Sequence, residues 1–344
     1  MQITTVGIDL AKNVFQIHGA DSRGKAVLRK RLRRDQFAAF FANLPPCLVG
    51  MEACGGAHHW ARRLETFGHT VKLMAPQFVK PYVKSNKTDM ADAEAICEAV
   101  NRPSMRFVSI KNIEQQSVLA LHRARQGFVK ARTAQANQIR GLLAEFGLVV
   151  PQGILYIPSR VPELLEDAEN GLPDLMRQLI SQLLEHFKAL HGRVIEIEAQ
   201  IKSWHRSSES SRRLEKVPGI GPLTASALAA ALGNARNFDN GRQLAAWLGL
   251  VPRQHSSGGK ATLLGMSKRG DAYLRTLLIH GARSVIYRTR QRADEKSWLF
   301  NLVERRNANV AAVALANKTA RIVWALLAHE REFQVDHAAD AAAA

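Results

Sequence analysis

Thr5-Val6-Gly7-Ile8-Asp9-Leu10-Ala11-Lys12 is a short apolar run that ends on a carboxylate. Such a run reads as a buried strand, and an acid at its end is costly unless something charged meets it. Cys47-Leu48-Val49-Gly50-Met51 leads into Glu52 in the same way. A third acidic group follows in Lys87-Thr88-Asp89-Met90-Ala91-Asp92-Ala93-Glu94. There Asp89 and Asp92 have i, i+3 spacing at the head of the helix-prone stretch Ala91 to Val100, so both carboxylates project from one side of its first turns.

Acids spread over two strand ends and a helix start are what a hard divalent cation needs when it works on phosphates. Each has a plainer use when taken alone. Asp89 or Thr88 can cap a helix, and loop amides can satisfy Asp9 and Glu52. Together, four converging carboxylates raise one another's proton affinity unless a cation sits among them. Asp9, Glu52, Asp89 and Asp92 are therefore the expected metal ligands.

The segments around these acids alternate between strand and helix. Strands are expected at Thr4 to Asp9, Val14 to Gly19, Ala26 to Leu32, Cys47 to Met51, Thr70 to Met74 and Arg106 to Ile110, with helices at Arg34 to Asn43, His58 to Phe67 and Asp89 to Val100. Three early strands followed by βα units look like a ribonuclease-H-like sheet, in which acids in this order surround a metal.

The chain has 344 residues, enough for two or three cores, and 46% are hydrophobic, so it is globular. Its formal charge of +18 and pI near 10.3 point to a polyanion as partner, with nucleic acid the default. No stretch approaches the ~20 unbroken apolar residues of a membrane span and no signal-peptide pattern opens the chain, which favours a cytoplasmic setting. Cys47, Cys54 and Cys97 lack the spacing of a zinc site or a disulfide framework and are expected to be small buried hydrophobes.

Ile113 to Phe146 reads as a helix with Arg123, Arg125, Lys130, Arg132 and Arg140 between apolar positions. The Gly/Pro-marked stretch from Val149 to Pro173 reads as a connector. A heptad then runs through Met176, Ile180, Leu183, Phe187, Leu190, Val194, Ile197, Ile201 and Trp204. Its seam needs a partner, either the helix of 113–146 folded back as a hairpin or the same segment of a second chain, and a role in oligomerisation is expected.

Val217-Pro218-Gly219-Ile220-Gly221-Pro222, ahead of the small-residue helix Leu223 to Leu232, has the pattern of a helix-hairpin-helix. In that motif Gly219 and Gly221 would bring backbone amides to a phosphate. A tight turn between packed helices is the plainer reading. Further on, Arg253-Gln254-His255-Ser256-Ser257-Gly258-Gly259-Lys260 reads as a short flexible loop. It could present a hydroxyl beside Arg253, Lys260, Lys268, Arg269 and Arg275, all expected to contact nucleic acid. Composition alone makes it a polar loop touching DNA.

From about residue 3 to 330 the chain resembles transposases of the IS110 (IS-one-ten) family of bacterial insertion sequences, most closely their IS1111 (IS-eleven-eleven) branch, with relatives among the Piv and MooV DNA invertases. The resemblance rests on Gly7-Ile8-Asp9-Leu10-Ala11-Lys12, Glu52-Ala53, Asn86-Lys87-Thr88-Asp89 with Asp92-Ala93, Pro218-Gly219-Ile220-Gly221, the Pro252-Arg253 to Ser257-Gly258 stretch, and Ser267-Lys268 with Leu274-Arg275. It implies an α/β RuvC-like DEDD domain at 1–111, whose Asp9, Glu52, Asp89 and Asp92 bind Mg²⁺, with Mn²⁺ as a substitute. A helical connector with a coiled coil at 112–206, a mainly helical transposase domain at 207–332 and a disordered tail at 333–344 complete the expected architecture.

The resemblance also implies that Ser257 is a nucleophile, with Ser256 immediately before it, and that strands are exchanged through a phosphoserine on element ends and target DNA. A structured noncoding RNA that chooses the DNA, as base pairing does in other guided systems, comes from the resemblance as well. A homo-oligomer, dimer or tetramer, is expected, with the two catalytic segments of one site shared between protomers. The protein would act on DNA in the nucleoid. Two other readings stand beside this one: a metal-dependent Holliday-junction-type endonuclease that uses water as nucleophile, and a non-catalytic nucleic-acid-binding protein of the same fold.

Overall fold

Val6 and Ile8 alternate with Gly7 and Asp9 along β1 (Thr5–Leu10), so one face of the strand is apolar and the other is small and then acidic. The computed structural model describes residues 2–84, 86, 88–291 and 298–334. Lys87 of the acidic motif, and the expected tail from residue 335 onward, lie outside the described residues. The chain divides into two compact units, Met1–Gln115 with Leu232–Asn237, and Gln116–Ala231 with Phe238–Ala344.

In the first unit β1 is followed by β2 (Val14–Ala20), β3 (Ala26–Arg33), α1 (Arg34–Ala42), β4 (Leu48–Glu52), α2 (Ala57–Glu65) and β5 (Thr70–Met74). Then come the short α3 (Pro76–Val79), a 3-10 turn at Lys80–Tyr82, α4 (Asp89–Val100) and β6 (Phe107–Val108). The six strands form one sheet in the order β3-β2-β1-β4-β5-β6. β4 runs parallel to β1 and to β5, while the β1–β2, β2–β3 and β5–β6 pairs are antiparallel. This mixed sheet is consistent with a DEDD nuclease-like fold.

One face of the sheet carries Val6, Ile8, Val49 and Met51 into a core with Phe15, Phe37, Phe41 and Trp60. The Phe15 and Phe37 rings meet edge to face at 4.6 Å, and Trp60 lies 4.6 Å from Phe37. Each such ring contributes roughly 1.5–3 kcal/mol by leaving water. The opposite face receives α4, whose Ala95, Ile96, Ala99 and Val100 are buried with Met74 and Val79.

The second unit is mainly helical: α5 (Ile113–Ala144), α6 (Tyr156–Glu166), α7 (Asp174–Ser207), α8 (Glu209–Glu215), α9 (Pro222–Leu232), α10 (Gly241–Trp247), a two-stranded β7 (Pro252–Ser257) and β8 (Lys260–Met266), then α11 (Ala272–Gln291), α12 (Trp298–Arg305) and α13 (Ala308–Ala328). α5 and α7 run antiparallel. Arg125 meets Glu198, Arg132 meets His191 and Gln135 meets His186, so one index rises as the other falls. Ile180, Leu184 and Phe187 of α7 share a core with Ala136, Ile139 and Leu143 of α5. The seam expected to serve oligomerisation is thus met along that stretch by a helix of the same chain.

Three expectations need correction. The connector of Val149 to Pro173 contains α6, whose Ile157 and Val161 are buried in the α5–α7 core; Pro158 falls in the first turn, where no amide bond is lost. Cys47 and Cys97 are buried, but Cys54 is exposed because it lies in the loop just past Glu52. The Ser-Ser-Gly-Gly loop is the tip of a two-stranded hairpin. Among the described residues one helix, α13, is long and apolar enough to cross a membrane, with mean hydropathy 1.4 in its best window. It carries Lys318 and Arg321 and buries Ala312, Ala316, Ala320 and Val323, as a core helix does.

Candidate active site

Two glycines bring the acids together. Gly7 pairs with Gly50 and Ile8 with Met51 across the parallel β1–β4 ladder, so Asp9 and Glu52 follow in step at the carboxyl ends of neighbouring strands. Residues two apart on a strand share a face. Gly7 and Asp9 therefore look the same way, as do Gly50 and Glu52, and that way is toward α4. A Cβ at Gly7 would lie 2.2 Å from the Ala93 carbonyl oxygen, and one at Gly50 would lie 2.8 Å from the Val100 Cβ.

The direction of α4 follows from its contacts. Its C-terminal end lies over the start of β1, where Thr5 Oγ1 donates to Asn101 Oδ1 at 3.2 Å and the Cys97 thiol reaches the Thr5 carbonyl at 3.8 Å. Ala93 lies over Gly7, one step nearer the strand end. The first turn, with Asp89 and Asp92, thus points toward the strand ends that carry Asp9 and Glu52. Thr88 caps the helix, its hydroxyl accepting from the Ala91 amide at 3.2 Å, so capping does not consume either aspartate. Asp89 is exposed and Asp92 half-buried.

Among the described residues, no three carboxylate, imidazole or thiol groups form a ready-made metal cage. The donor set still fits a hard cation of the magnesium type. Such an ion keeps several waters and takes one or two carboxylates plus substrate phosphates, and seldom sits in an all-protein cage. Asp9 and Glu52 offer that platform. Their combined field is felt at Cys54, whose thiol, in an exposed residue, is pushed up first by partial desolvation and then by the charges of Glu52 and Asp9. A sequence signal for this arrangement was present: Gly-Ile-Asp and Gly-Met-Glu both place the residue without a side chain two positions before the acid.

In the second unit, β7 and β8 pair with Ser257 opposite Lys260, Ser256 opposite Ala261 and His255 opposite Thr262. Gly258 and Gly259 have φ of +56° and +79°, the two left-handed residues that a tight type I′ turn requires. Ser257 therefore stands at the last strand position before the tip, exposed, with the Lys260 side chain on the same face. Ser256 points to the other face, where its hydroxyl accepts from Gln254 Nε2 at 2.7 Å. The pleat distinguishes two serines that are adjacent in sequence.

The basic residues sort differently. Arg253 and Lys260 are exposed on the hairpin, and Arg253 lies where the register shifts between Pro252 and Gln254. Lys268 is exposed with φ of +56°. Arg275 spends its guanidinium on the Leu248 and Arg269 carbonyls at 3.0 and 3.2 Å, bracing the hairpin's foot. Gly219, at φ +85°, lies with its backbone against Gly281 of α11: a Cβ on Gly281 would come within 1.9 Å of the Gly219 oxygen. Close packing thus accounts for glycine at 219, while Gly221 is exposed just ahead of α9.

Sequence reading passed over one buried network. His122 of α5 bonds Tyr273 Oη at 2.9 Å and Ser226 Oγ at 3.0 Å, and the Ser226 hydroxyl donates to the Pro222 carbonyl at 2.7 Å. With that proton committed, His122 Nε2–H donates to Ser226 and Nδ1 accepts from Tyr273. Burial, reinforced by nearby Arg125, pushes His122 down to about 4. These groups tie α5, α9 and α11 into one body.

A mixed sheet with carboxylates at the ends of parallel strands, followed in the chain by a mainly helical unit, is consistent with the class of DEDD nuclease-like enzymes. A family model described as "Transposase IS116/IS110/IS902 family" matches residues 211–297, and one for the DEDD transposase domain of IS110 elements matches residues 6–147. A protein of Pseudomonas aeruginosa named "Probable family 20 transposase" is 53% identical over 332 residues, covering 96% of this chain and 98% of that protein. The transposase for insertion sequence element IS1328 of Yersinia enterocolitica is 46% identical, covering 94% of this chain and 96% of its own. The transposase for IS1111A of Coxiella burnetii is 45% identical, covering 96% and 92%. The chain belongs to the IS110/IS116/IS902 family of transposases, DNA-cleaving and recombining enzymes whose DEDD domain depends on divalent metal.

Proposed function

We propose that this transposase cuts and rejoins the ends of its insertion sequence through a covalent phosphoserine on Ser257, with Asp9, Glu52, Asp89 and Asp92 holding Mg²⁺. The convergence of Asp9 and Glu52 on the face covered by α4, with Asp89 and Asp92 on the helix turn aimed at them, carries the metal half of this reading. Bound there, the cation would supply Lewis-acid charge for a phosphate under attack. Placement of Ser257 at a hairpin tip, beside Lys260 and clear of Ser256, supports the other half.

In the step itself, Ser257 Oγ forms a bond to phosphorus as the bond to the 3′ oxygen breaks. The hydroxyl proton passes to a base and the 3′ oxygen takes one up. Lys260 and Arg253 hold the phosphate's charge in line. Because the phosphoserine keeps the ester, the reverse reaction with another 3′ hydroxyl rejoins strands without an external energy source. Metal-bearing acids and serine lie in different segments, and we read the working site as assembled from more than one protomer. Selection of the DNA by a noncoding RNA rests on the family resemblance together with the +18 charge.

The test is strand cleavage of element-end DNA, with the element's transcript, in Mg²⁺, in Mn²⁺ and in EDTA, for the wild-type chain and for Asp9→Asn and Asp92→Asn. Cleavage in both metals, lost in EDTA and in both variants, is expected. Cleavage that persists in EDTA would contradict the metal assignment.

A further inference from the structure

The edge strand β3 carries arginines at alternate positions, Arg29, Arg31 and Arg33, and the sheet register fixes the face they share. Across β2–β3, Arg29 pairs with His18, Arg31 with Gln16 and Arg33 with Val14. Across β1–β2, Gln16 pairs in turn with Asp9, and His18 with Gly7. Residues directly opposite on neighbouring strands look the same way. The three arginines therefore stand on the face covered by α4, which is the face of Asp9 and Glu52. Two contacts agree with this: Arg29 reaches Glu94 of α4 at 3.7 Å, whereas Lys30 Nζ lies 5.0 Å from the centre of the Phe40 ring of α1 on the other face.

Asp9, Gln16 and Arg31 thus form one row across three strands. With strands about 4.8 Å apart, the Arg31 backbone lies roughly 10 Å from that of Asp9. A nucleic-acid strand with its scissile phosphate at the acids covers that distance in about two or three nucleotides, at a rise of roughly 3.4 Å or more per phosphate. Gln16, half-buried on the way, offers an amide donor, and Arg31 at the end of the row is exposed.

Cations on an edge strand also block edge-to-edge pairing. That use needs charge but no particular face, and Lys30 serves it as well as Arg31 does. From Arg23 to Arg34 the chain has seven Lys or Arg and no Asp or Glu. Like charges about 6.6 Å apart on one face repel, and a polyanion laid across that face relieves the repulsion.

We propose that Arg31, with Gln16, holds the phosphate two or three nucleotides from the one being cut, so that the DNA strand enters the acid site across β3 and β2. The proposal rests on the reading that Asp9 and Glu52 hold the metal at which DNA is cut. A phosphate fixed on one side sets the direction in which the strand crosses the acids, and with it which bond is presented to them.

Binding of the full chain to element-end DNA, with the element's transcript, is measured by fluorescence anisotropy in EDTA over a range of salt concentrations. Arg31→Gln should weaken binding by roughly 10-fold, as loss of one hydrogen-bonded charge contact does. It should also lower the log–log salt slope by about 0.7–0.9, the share of one phosphate. Lys30→Gln removes the same charge from the opposite face and should leave both as in wild type. DNA with a single methylphosphonate, scanned over the three phosphates on either side of the cut, should bind wild type more weakly at one position and lose nothing further there in Arg31→Gln. The scan on wild type stands by itself should Arg31→Gln fail to fold: no sensitive position two or three nucleotides from the cut overturns the proposal. An unchanged slope in folded Arg31→Gln, an equal loss in Lys30→Gln, an equal loss for the transcript without DNA, or altered self-association with DNA binding intact overturns it too. These readings need no metal, so failure of the metal assignment, seen as cleavage in EDTA, shows separately.

Discussion

Replacing Gly7 by alanine inserts one methyl group where the sheet and α4 touch backbone to backbone. The new Cβ would lie 2.2 Å from the Ala93 oxygen and 2.4 Å from the Cys97 nitrogen, whereas ordinary contact begins near 3.4 Å. The difference between 2.2 and 3.4 Å requires α4 to move by about 1.2 Å. Overpacking of this kind costs about 1–3 kcal/mol, or roughly 4–12 °C in the melting of the first unit. The functional effect should be larger in proportion, because the same shift moves Asp89 and Asp92 relative to Asp9 and Glu52. A misplacement of about 1 Å costs about 100-fold in rate.

The assay is metal-dependent strand cleavage alongside thermal unfolding, at a temperature where the variant is folded. Gly50→Ala is the internal control, since its obstacle is the Val100 side chain at 2.8 Å. Val100→Gly should relieve Gly50→Ala, whereas Cys97→Gly should not relieve Gly7→Ala, where the Ala93 carbonyl remains. A Gly7→Ala protein with wild-type melting and wild-type rate, or one rescued by Cys97→Gly, would refute the reasoning.

Further outcomes follow from the same geometry. Cys54 feels Glu52 and Asp9, so Asp9→Asn should speed its alkylation, measured by mass spectrometry; Cys47 and Cys97, both pushed up to about 11 mainly by burial, should stay unmodified, and an unchanged Cys54 rate would separate it from the acids. His122 is held neutral, at about 4 against an ordinary 6.5, so the unfolded chain takes up a proton that the native state refuses. The stability it gives is complete above about pH 6.5 and falls by about 3 kcal/mol as pH drops toward 4. In urea unfolding across that window His122→Gln should flatten the slope, and an unaltered slope would assign it to other groups. Gly281→Ala, whose Cβ would come within 1.9 Å of the Gly219 oxygen, should destabilise the second unit by about 1–3 kcal/mol in calorimetry, and a neutral result would remove close packing as the reason for Gly219.

The order of strands and helices around the acids was legible because each apolar run is short, alternates and ends on a turn or an acid. The expected strand Thr70 to Met74 coincides with β5, and helix Asp89 to Val100 with α4. α6 escaped because Pro158 and Pro162 read as breaks; Pro158, in the first turn, costs no hydrogen bond, while Pro162, inside the helix, gives one up and is tolerated where Ile157 and Val161 are buried. The hairpin escaped because β7 is polar on both faces and β8 sets Leu263 and Leu264 side by side, so that neither strand shows the period-two pattern of a half-buried sheet, and both are exposed apart from Met266. Its Gly258-Gly259 turn was the available signal. Partnering of the heptad was open in sequence, since one seam fits a neighbouring helix and a second chain equally well, and only tertiary contacts such as Arg125 with Glu198 decide. Gly219 shows the converse, a glycine whose conformation was readable but whose neighbour, Gly281, lies too far along the chain to be inferred.

The central claim, that acids in one unit and a hairpin serine in the other perform one reaction, is tested most directly by trapping the covalent intermediate. Element-end DNA, Mg²⁺ and the element's transcript are incubated with wild type, Ser257→Ala, Ser256→Ala and Asp89→Ala, and denaturing gels with peptide mapping locate any phosphoserine. The account predicts an adduct on Ser257 in wild type and Ser256→Ala, and none in Ser257→Ala or Asp89→Ala. Cleavage without an adduct, undiminished in Ser257→Ala, would contradict it and make water the nucleophile.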